Sequence, residues 1–185
     1  MSVDASGRDI KEGICLISIG NIEQNILEYL KTNLQEIFQT RLTLKNTNDS
    51  VLKSSYNPKR RQFYSSKILD NLKRPTLADC PRALGIVDVD LYVPQLNFVF
   101  GEADINNKIA IISLARLRQE YYSLKRDDNI FKGRVLKEAV HELGHTFSLG
   151  HCQNPACVMF FSNSLRDTDR KDFHFCSKCQ KALLH

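Results

Sequence analysis

The sequence predicts an α/β fold: a mixed, twisted sheet packs against helices and is followed by one long helix and a small, irregular C-terminal part. Three observations support this prediction. The apolar run at residues 14–18 precedes a helical repeat of apolar side chains at residues 22–38, which is typical of the start of an α/β unit. Two more apolar runs, at 84–89 and 108–113, are typical of buried strands. Apolar side chains recur at helical spacing again from residue 131.

The N-terminal elements are predicted from periodicity and turn residues. Residues 14–18 form a strand that Gly20 ends. Asn21 is the predicted N-cap of the following helix, with Gln24 placed to reach back to it as in a capping box. Three further elements are predicted before residue 80: a strand at 41–44, a polar loop at 46–58 and a helix at 62–72.

The middle of the chain is predicted to supply three more strands, at 84–89, 97–100 and 108–113. Pro94 interrupts the chain before the second of these, and Gly101 ends it. The pattern alone leaves open whether residues 97–100 lie in the core or at an edge of the sheet.

The long helix has a start signal and a buried face. Asp127, Asp128 and Asn129 form an N-cap cluster. The side chains of the predicted inner face follow at helical spacing: Phe131, Val135, Leu136, Ala139, Val140, Leu143 and Phe147.

The 185 residues have room for one domain with a hydrophobic core, and no linker divides them. We expect a single domain, 1–185, with a sheet and helix part at 1–150 and a C-terminal part at 151–185. Hydrophobic residues are 42% and charged residues 25%, as in ordinary globular proteins. No apolar run reaches the roughly 20 residues of a membrane span.

The N-terminus lacks the features of a secretory signal, so we expect a cytoplasmic protein without a membrane partner. In such a reducing compartment the isolated Cys15 and Cys80 are predicted to be buried thiols. The formal net charge of +5 is too small to indicate nucleic-acid binding by itself. We expect a monomer.

Four of the six cysteines have the spacing of a metal site. Cys152 and Cys157 form a Cys-x4-Cys pair, and Cys176 and Cys179 form a Cys-x2-Cys pair. Four thiolates favour a tetrahedral, structural zinc site, which has no open position for chemistry. Two disulfides or four buried thiols are the alternatives.

Residues 141–151 carry the pattern that organises the chain. His141 and His145, four residues apart, lie on one face of a helix and can share a metal ion. Glu142 projects elsewhere and can act as general base on a water at that metal. His151 can complete the ligand set only if the helix stops and the chain folds back, and Gly150 is placed to help that turn.

The pattern His-Glu-x-x-His-x-x-small-x-x-His at 141–151 resembles the metzincin signature. With the four cysteines and Met159, it resembles the archaemetzincins in particular. The similarity is strong over residues 141–179, and residues 88–102 resemble the stretch before the active-site helix of that family. The resemblance implies a metzincin-type fold and a metalloprotease that hydrolyses peptide bonds, with one catalytic and one structural zinc ion.

The resemblance also implies roles for further residues. Met159 would form the Met-turn beneath the metal ligands, although a methionine here is also simply a core residue. A strand at the sheet edge above the metal would pair with an extended peptide, and it would consist of Asn97, Phe98, Val99 and Phe100. The family has glycine where this chain has Ser148, at a turn that often needs a positive φ.

Two alternatives belong to other functional classes. A zinc-stabilised peptide-binding module would keep both metals without hydrolysis, but it would need no residue such as Glu142. A nucleic-acid binder would use residues 152–179 and the basic run Lys59-Arg60-Arg61, which is more typical of a solvated helix start. His174 is predicted to pack against the cysteine site rather than to bind a metal.

Overall fold

The computed structural model describes residues 13–72, 77 and 79–183. The strands of this part are β1 (Ile14–Ile19), β2 (Leu42–Thr47), β3 (Tyr56–Asn57), β4 (Gln62–Tyr64), β5 (Arg82–Val87), β6 (Leu91–Tyr92), β7 (Gly101–Asp104) and β8 (Ile109–Ser113). The α-helices are α1 (Gln24–Phe38), α2 (Ser50–Lys53), α3 (Ser65–Leu72), α4 (Asp128–Thr146), α5 (Leu165–Arg170) and α6 (Ser177–Leu183).

The main sheet is mixed, as predicted. Its order is β2-β1-β5-β8-β7; the first four strands are parallel, and β7 runs antiparallel to β8 at the edge. A small second sheet has the order β3-β4-β6. Parallel strands are buried on both faces, so their side chains contribute to two hydrophobic cores, one on each side of the sheet. One core contains α1, α4 and Met159, and the other contains α3.

The N-terminal predictions are confirmed in outline and wrong in several boundaries. Helix α1 has Glu23, not Asn21, as its N-cap residue, and no side-chain cap bond forms there. The predicted polar loop at 46–58 contains α2 and β3. The predicted helix at 62–72 begins only at Ser65, because its first three residues pair with β3 and β6 as strand β4.

The predicted strand at 97–100 is wrong. Only Val99 makes a bridge there, to Leu91, and the edge strand β7 begins one residue later than the predicted strand ends. The reason is a long-range contact: one nitrogen of Arg60 donates to the carbonyl oxygens of Leu96 and Asn97, at 2.9 and 3.0 Å. The Asn97 carbonyl also accepts from Gln62 at 2.9 Å, so it bonds two side chains instead of a strand partner.

Helix α4 confirms the prediction for the long helix. The Asp127 carboxylate accepts from the backbone nitrogens of Asn129 and Ile130, so it is the N-cap. The predicted inner face is buried from Phe131 to Leu143, and Phe147, just past the helix, is partly buried. No helix in the described ranges is long and apolar enough to cross a membrane.

The expectation of two buried thiols at Cys15 and Cys80 is wrong. The two residues form a disulfide, with their Cα atoms 5.7 Å apart. Cys15 lies on β1, and Cys80 lies two residues before the start of β5, which pairs with β1 in parallel. No local pattern indicates this pairing, because the two cysteines are 65 residues apart and meet only when the sheet forms.

Candidate active site

Helix α4 brings His141 and His145 together as predicted, with their Nε2 atoms 3.1 Å apart. The Nδ1 atom of His141 lies 2.8 Å from the carbonyl oxygen of Val158, and that of His145 lies 2.8 Å from the carbonyl oxygen of Leu149. Since a carbonyl oxygen only accepts, each Nδ1 carries the hydrogen and donates it. Both Nε2 atoms therefore keep a lone pair for a metal.

His151 completes the group through a tight turn. Its ring centroid lies 4.8 Å from that of His145 and 5.4 Å from that of His141. One ligand atom of each of the three histidines lies within 4.8 Å of the others. Ser148 has a φ of 66° and makes the turn, whereas Gly150 is not left-handed, so the expectation that Gly150 shares this role is wrong.

The histidine group suits a dipositive metal in charge as well as geometry. Burial lowers the pKa of His141 well below its usual range and lowers the pKa of His145 and His151 as well. The buried ammonium of Lys171 lowers all three further. Neutral imidazole is the form that binds zinc, so the site favours the ligand form.

Glu142 lies beside this group and is almost completely buried. Burial raises the pKa of its carboxyl well above the usual range, the nearby Glu138 raises it further, and Lys171 lowers it. A divalent cation at the histidines would favour the charged form and oppose the rise.

Gly101, the first residue of β7, makes room for Glu142. A Cβ atom on Gly101 would lie 2.6 Å from Cγ of Glu142 and 2.6 Å from the carbonyl oxygen of Ile111. These separations are far below van der Waals contact. The predicted role of Gly101 is only to end a strand, so sequence reasoning missed that it lets the sheet edge approach the carboxylate of Glu142.

Met159 packs beneath the same helix. It is fully buried, and a Cβ atom on Gly144 would lie 2.5 Å from its sulphur and 3.3 Å from Phe175. The carbonyl oxygen of Met159 accepts from the backbone nitrogen of Cys152 at 2.9 Å. The methionine thus links the histidine helix to the segment that carries the first cysteine.

The four predicted cysteines converge as free thiols. The sulphur atoms all lie within 4.8 Å of one another in Cys152, Cys157, Cys176 and Cys179. The disulfide alternative is not realised among them. Hydrogen bonding, chiefly from the backbone of Cys179, lowers the pKa of Cys176 to about 7. Burial raises the pKa of Cys157 and Cys179. Four sulphurs this close suit a tetrahedral zinc ion.

Contrary to the prediction, the side chain of His174 does not pack against the cysteine group. Its imidazole is 65% exposed and its Nδ1 lies 2.8 Å from a carboxylate oxygen of Asp172. It belongs to neither metal-binding group of the described residues.

A cleft of about 520 Å³ opens over the histidines. One wall is the segment from Leu96 to Ala103, with Ile105, and so includes the predicted Asn97, Phe98, Val99 and Phe100. The opposite wall is Phe161, Ser162 and Asn163. No lysine or arginine of the described chain lines the cleft, so the net positive charge gives no reason to expect acidic substrates.

Helix α5 and Lys171, which follow the second wall in the chain, are attached to α4 by polar contacts that sequence reasoning missed. Arg134 forms a two-pronged ion pair with Asp169, at 2.7 and 2.6 Å. The buried Lys171 pairs with Glu138 at 3.1 Å, and Thr168 donates to the same carboxylate oxygen at 3.0 Å. These residues come from two stretches about thirty positions apart, so no local pattern predicts the network.

The profile of Peptidase family M54 matches residues 17–185. The archaemetzincin of Methanocaldococcus jannaschii is 45% identical over 170 residues, which are 92% of each chain. The crystal structure of a zinc-dependent peptidase from Methanocorpusculum labreanum is similar with a TM-score of 0.84 at 30% identity, covering 92% of this chain and 100% of that one. The archaemetzincin structure from Methanopyrus kandleri gives 0.81 at 36% identity, covering 94% and 93%.

Proposed function

Since the chain belongs to Peptidase family M54, the archaemetzincins, it is a zinc metallopeptidase, and we propose that His141, His145 and His151 hold its catalytic zinc. The observation that supports this most is the convergence of one ligand nitrogen from each histidine within 4.8 Å. The two Nδ1–H bonds to backbone carbonyls fix the rings of His141 and His145 in the ligand orientation.

We propose Glu142 as the general base. When bound, zinc polarises the scissile carbonyl and acidifies water. The Glu142 carboxylate takes a proton from the attacking water and then passes it to the leaving amine nitrogen. Its burial against Gly101 holds the carboxylate in one place and keeps bulk water away from it.

We propose that the peptide pairs with β7 rather than with residues 97–100. The backbone nitrogen of Ser113 donates to the carbonyl of Phe100 at 2.8 Å, and Gly101 lies opposite Ile112. In an antiparallel ladder every second residue bonds the neighbouring strand through its N–H and C=O groups. Phe100 bonds β8, so the backbone groups of Gly101 and Ala103 point away from β8. These groups line the cleft and can bond an extended peptide.

We propose a second, structural zinc at the four cysteines, which makes two per chain. His151 and Cys152 are adjacent, and the Cys152 backbone bonds Met159 at 2.9 Å. The cysteine zinc would thereby hold the segment that carries the third histidine. Cys157 and Cys179 also belong to the same core as α1 and α4, which supports one domain over 1–185.

The test is digestion of a diverse peptide library by zinc-loaded protein, followed by mass spectrometry, beside a Glu142→Gln variant with equal zinc content. Cleavage by the first and not by the second supports the proposal. The cut positions distinguish exopeptidase from endopeptidase activity. Absence of cleavage by both, with the zinc content verified, would favour a peptide-binding module.

A further inference from the structure

Arg60, from the basic run of the sequence, is bound to the cleft wall. Its Nη2 donates to the carbonyl oxygens of Leu96 and Asn97, at 2.9 and 3.0 Å, and its Nε donates to Gln62 at 2.9 Å. The guanidinium also lies over the ring of Tyr92, 4.3 Å from the centroid. Arg60 therefore contacts both the loop between β6 and β7 and the strand before it.

Gln62 extends the same set of contacts into the buried interior. Its side-chain nitrogen donates to the carbonyl of Asn97 at 2.9 Å and to Asp90 at 3.1 Å. Asp90 accepts two bonds from Arg116, at 2.6 and 2.8 Å, and Arg116 lies over the ring of Phe98 at 4.3 Å. The loop is thus held both by its carbonyl oxygens and by an aromatic side chain.

This loop presents apolar side chains to the cleft. Leu96 is 38% exposed, and Phe98 lies beside it on the same wall. On the opposite wall Phe161 is 41% exposed, with its ring 4.9 Å from that of His151. Large apolar side chains on both sides of a metal site favour a ligand that covers them.

The charges around the cleft point to the same class of ligand. No lysine or arginine of the described residues lines it, so an acidic side chain finds no partner there. Glu138 lines the cleft, but Lys171 pairs with its carboxylate at 3.1 Å and offsets the attraction for a basic side chain. The carboxylate of Glu102, which also lines the cleft, already accepts from Ser65 and Ser66. Burial of apolar area is therefore the interaction that the exposed side chains of the two walls favour.

We propose that Arg60 and Gln62 are positioning residues that hold Leu96 and Phe98 opposite Phe161, and that this space takes a bulky apolar side chain of the peptide. The inference rests on the proposed function, because the peptide reaches this space while its scissile bond lies at the histidines. Arginine suits the position because one planar fork can serve two carbonyls and an amide oxygen, which a lysine ammonium on a flexible stem does not reproduce.

The experiment uses two zinc-binding hydroxamates that differ only in an isobutyl or a methyl side chain, and measures their dissociation constants by calorimetry on zinc-loaded protein. We expect the isobutyl compound to bind about tenfold more tightly to the unchanged protein. In Arg60→Ala and Gln62→Leu the ratio should fall to about threefold or less, with unchanged zinc content. Lys59→Ala, which removes the neighbouring exposed charge, should keep the original ratio.

Hydrogen exchange gives a second readout. The amide of Leu96 bonds Val93 within the loop, and that of Val99 bonds Leu91 in β6. Both should exchange faster in Arg60→Ala but not in Lys59→Ala. Arg60→Lys, which is less disruptive to folding, should lie between the two.

Equal affinity for the two hydroxamates, or a ratio that Arg60→Ala leaves unchanged, overturns the inference. The readout does not require hydrolysis. Hydroxamates that bind with the expected ratio while no peptide is cleaved would therefore overturn the proposed function and support the apolar subsite. Failure of both compounds to bind would overturn both.

Discussion

Replacing Gly101 with alanine places the smallest possible side chain where the sheet edge meets the carboxylate of Glu142, the proposed general base. The new Cβ would lie 2.6 Å from Cγ of Glu142, 2.8 Å from its Oε1 and 2.6 Å from the carbonyl oxygen of Ile111. A relaxed carbon contact is about 3.5–4.0 Å, so a displacement of about 1 Å is needed. Ile111 belongs to the central ladder of β8 and cannot move cheaply, so Glu142 and the edge strand must shift.

The expected cost has two parts. Overpacking by one carbon destabilises a core by about 1–3 kcal/mol. Because Gly101 lies against a backbone carbonyl that cannot move away, we expect the unfolding free energy of Gly101→Ala to fall by an amount in that range. Misplacement of a catalytic group by about 1 Å costs about a hundredfold in rate. We therefore expect kcat/KM of Gly101→Ala to fall about a hundredfold while the histidines retain zinc.

Gly133→Ala is the matched control. Gly133 lies in α4, and its added Cβ would have no neighbour within 4 Å. The control should gain about 0.5–1 kcal/mol in unfolding free energy from helix propensity and retain full activity. The assays are urea denaturation, zinc content and peptide hydrolysis at saturating zinc. Gly101→Ala with the stability and activity of the unchanged protein would refute the reasoning about close approach.

Three further changes test other parts of the site. Cys176→Ala should lose both zinc ions rather than one, because the cysteine group holds the segment with the third histidine; an intact catalytic zinc in a direct metal count would contradict the coupling. Ser148→Gly should raise unfolding free energy by about 1 kcal/mol, since serine adopts a left-handed φ of 66°; a lower denaturation midpoint would show otherwise. Lys171→Met should lower the unfolding free energy by about 3–5 kcal/mol, because it leaves the carboxylate of Glu138 buried without its partner. Adding Glu138→Gln to this variant should restore part of the lost stability, and calorimetry measures both changes.

The parts of the site that depend on local spacing could be predicted from the sequence. His141 and His145 share a face because four residues complete about one helical turn, whatever the rest of the chain does. The N-cap at Asp127 is likewise local, since its carboxylate bonds amides two and three residues on. The positive φ at Ser148 is expected from the family resemblance, since the family has glycine at that position, whereas the need to fold His151 back points to Gly150.

The parts that depend on distant contacts could not be predicted in this way. Residues 97–100 form a loop and not the expected strand. Arg60, more than 35 residues earlier, donates hydrogen bonds to the carbonyl oxygens of Leu96 and Asn97. The disulfide between Cys15 and Cys80 depends on β1 and β5 becoming neighbours. Hydropathy favours the wrong segment here, since residues 97–100 are largely apolar whereas the edge strand β7 contains Glu102 and Asp104.

Gly101 and Gly144 together explain why the catalytic helix occupies its place. At one end of the site β7 reaches Glu142 only because Gly101 has no side chain, and on the other side Met159 reaches the helix only because Gly144 has none. The zinc ligands themselves make no demand for either glycine. Hence backbone approach sets the distance of the proposed peptide-binding edge from Glu142 and the packing beneath the histidines proposed as ligands. Replacing a ligand removes the metal, whereas replacing one of these glycines should leave the metal and misplace the groups around it.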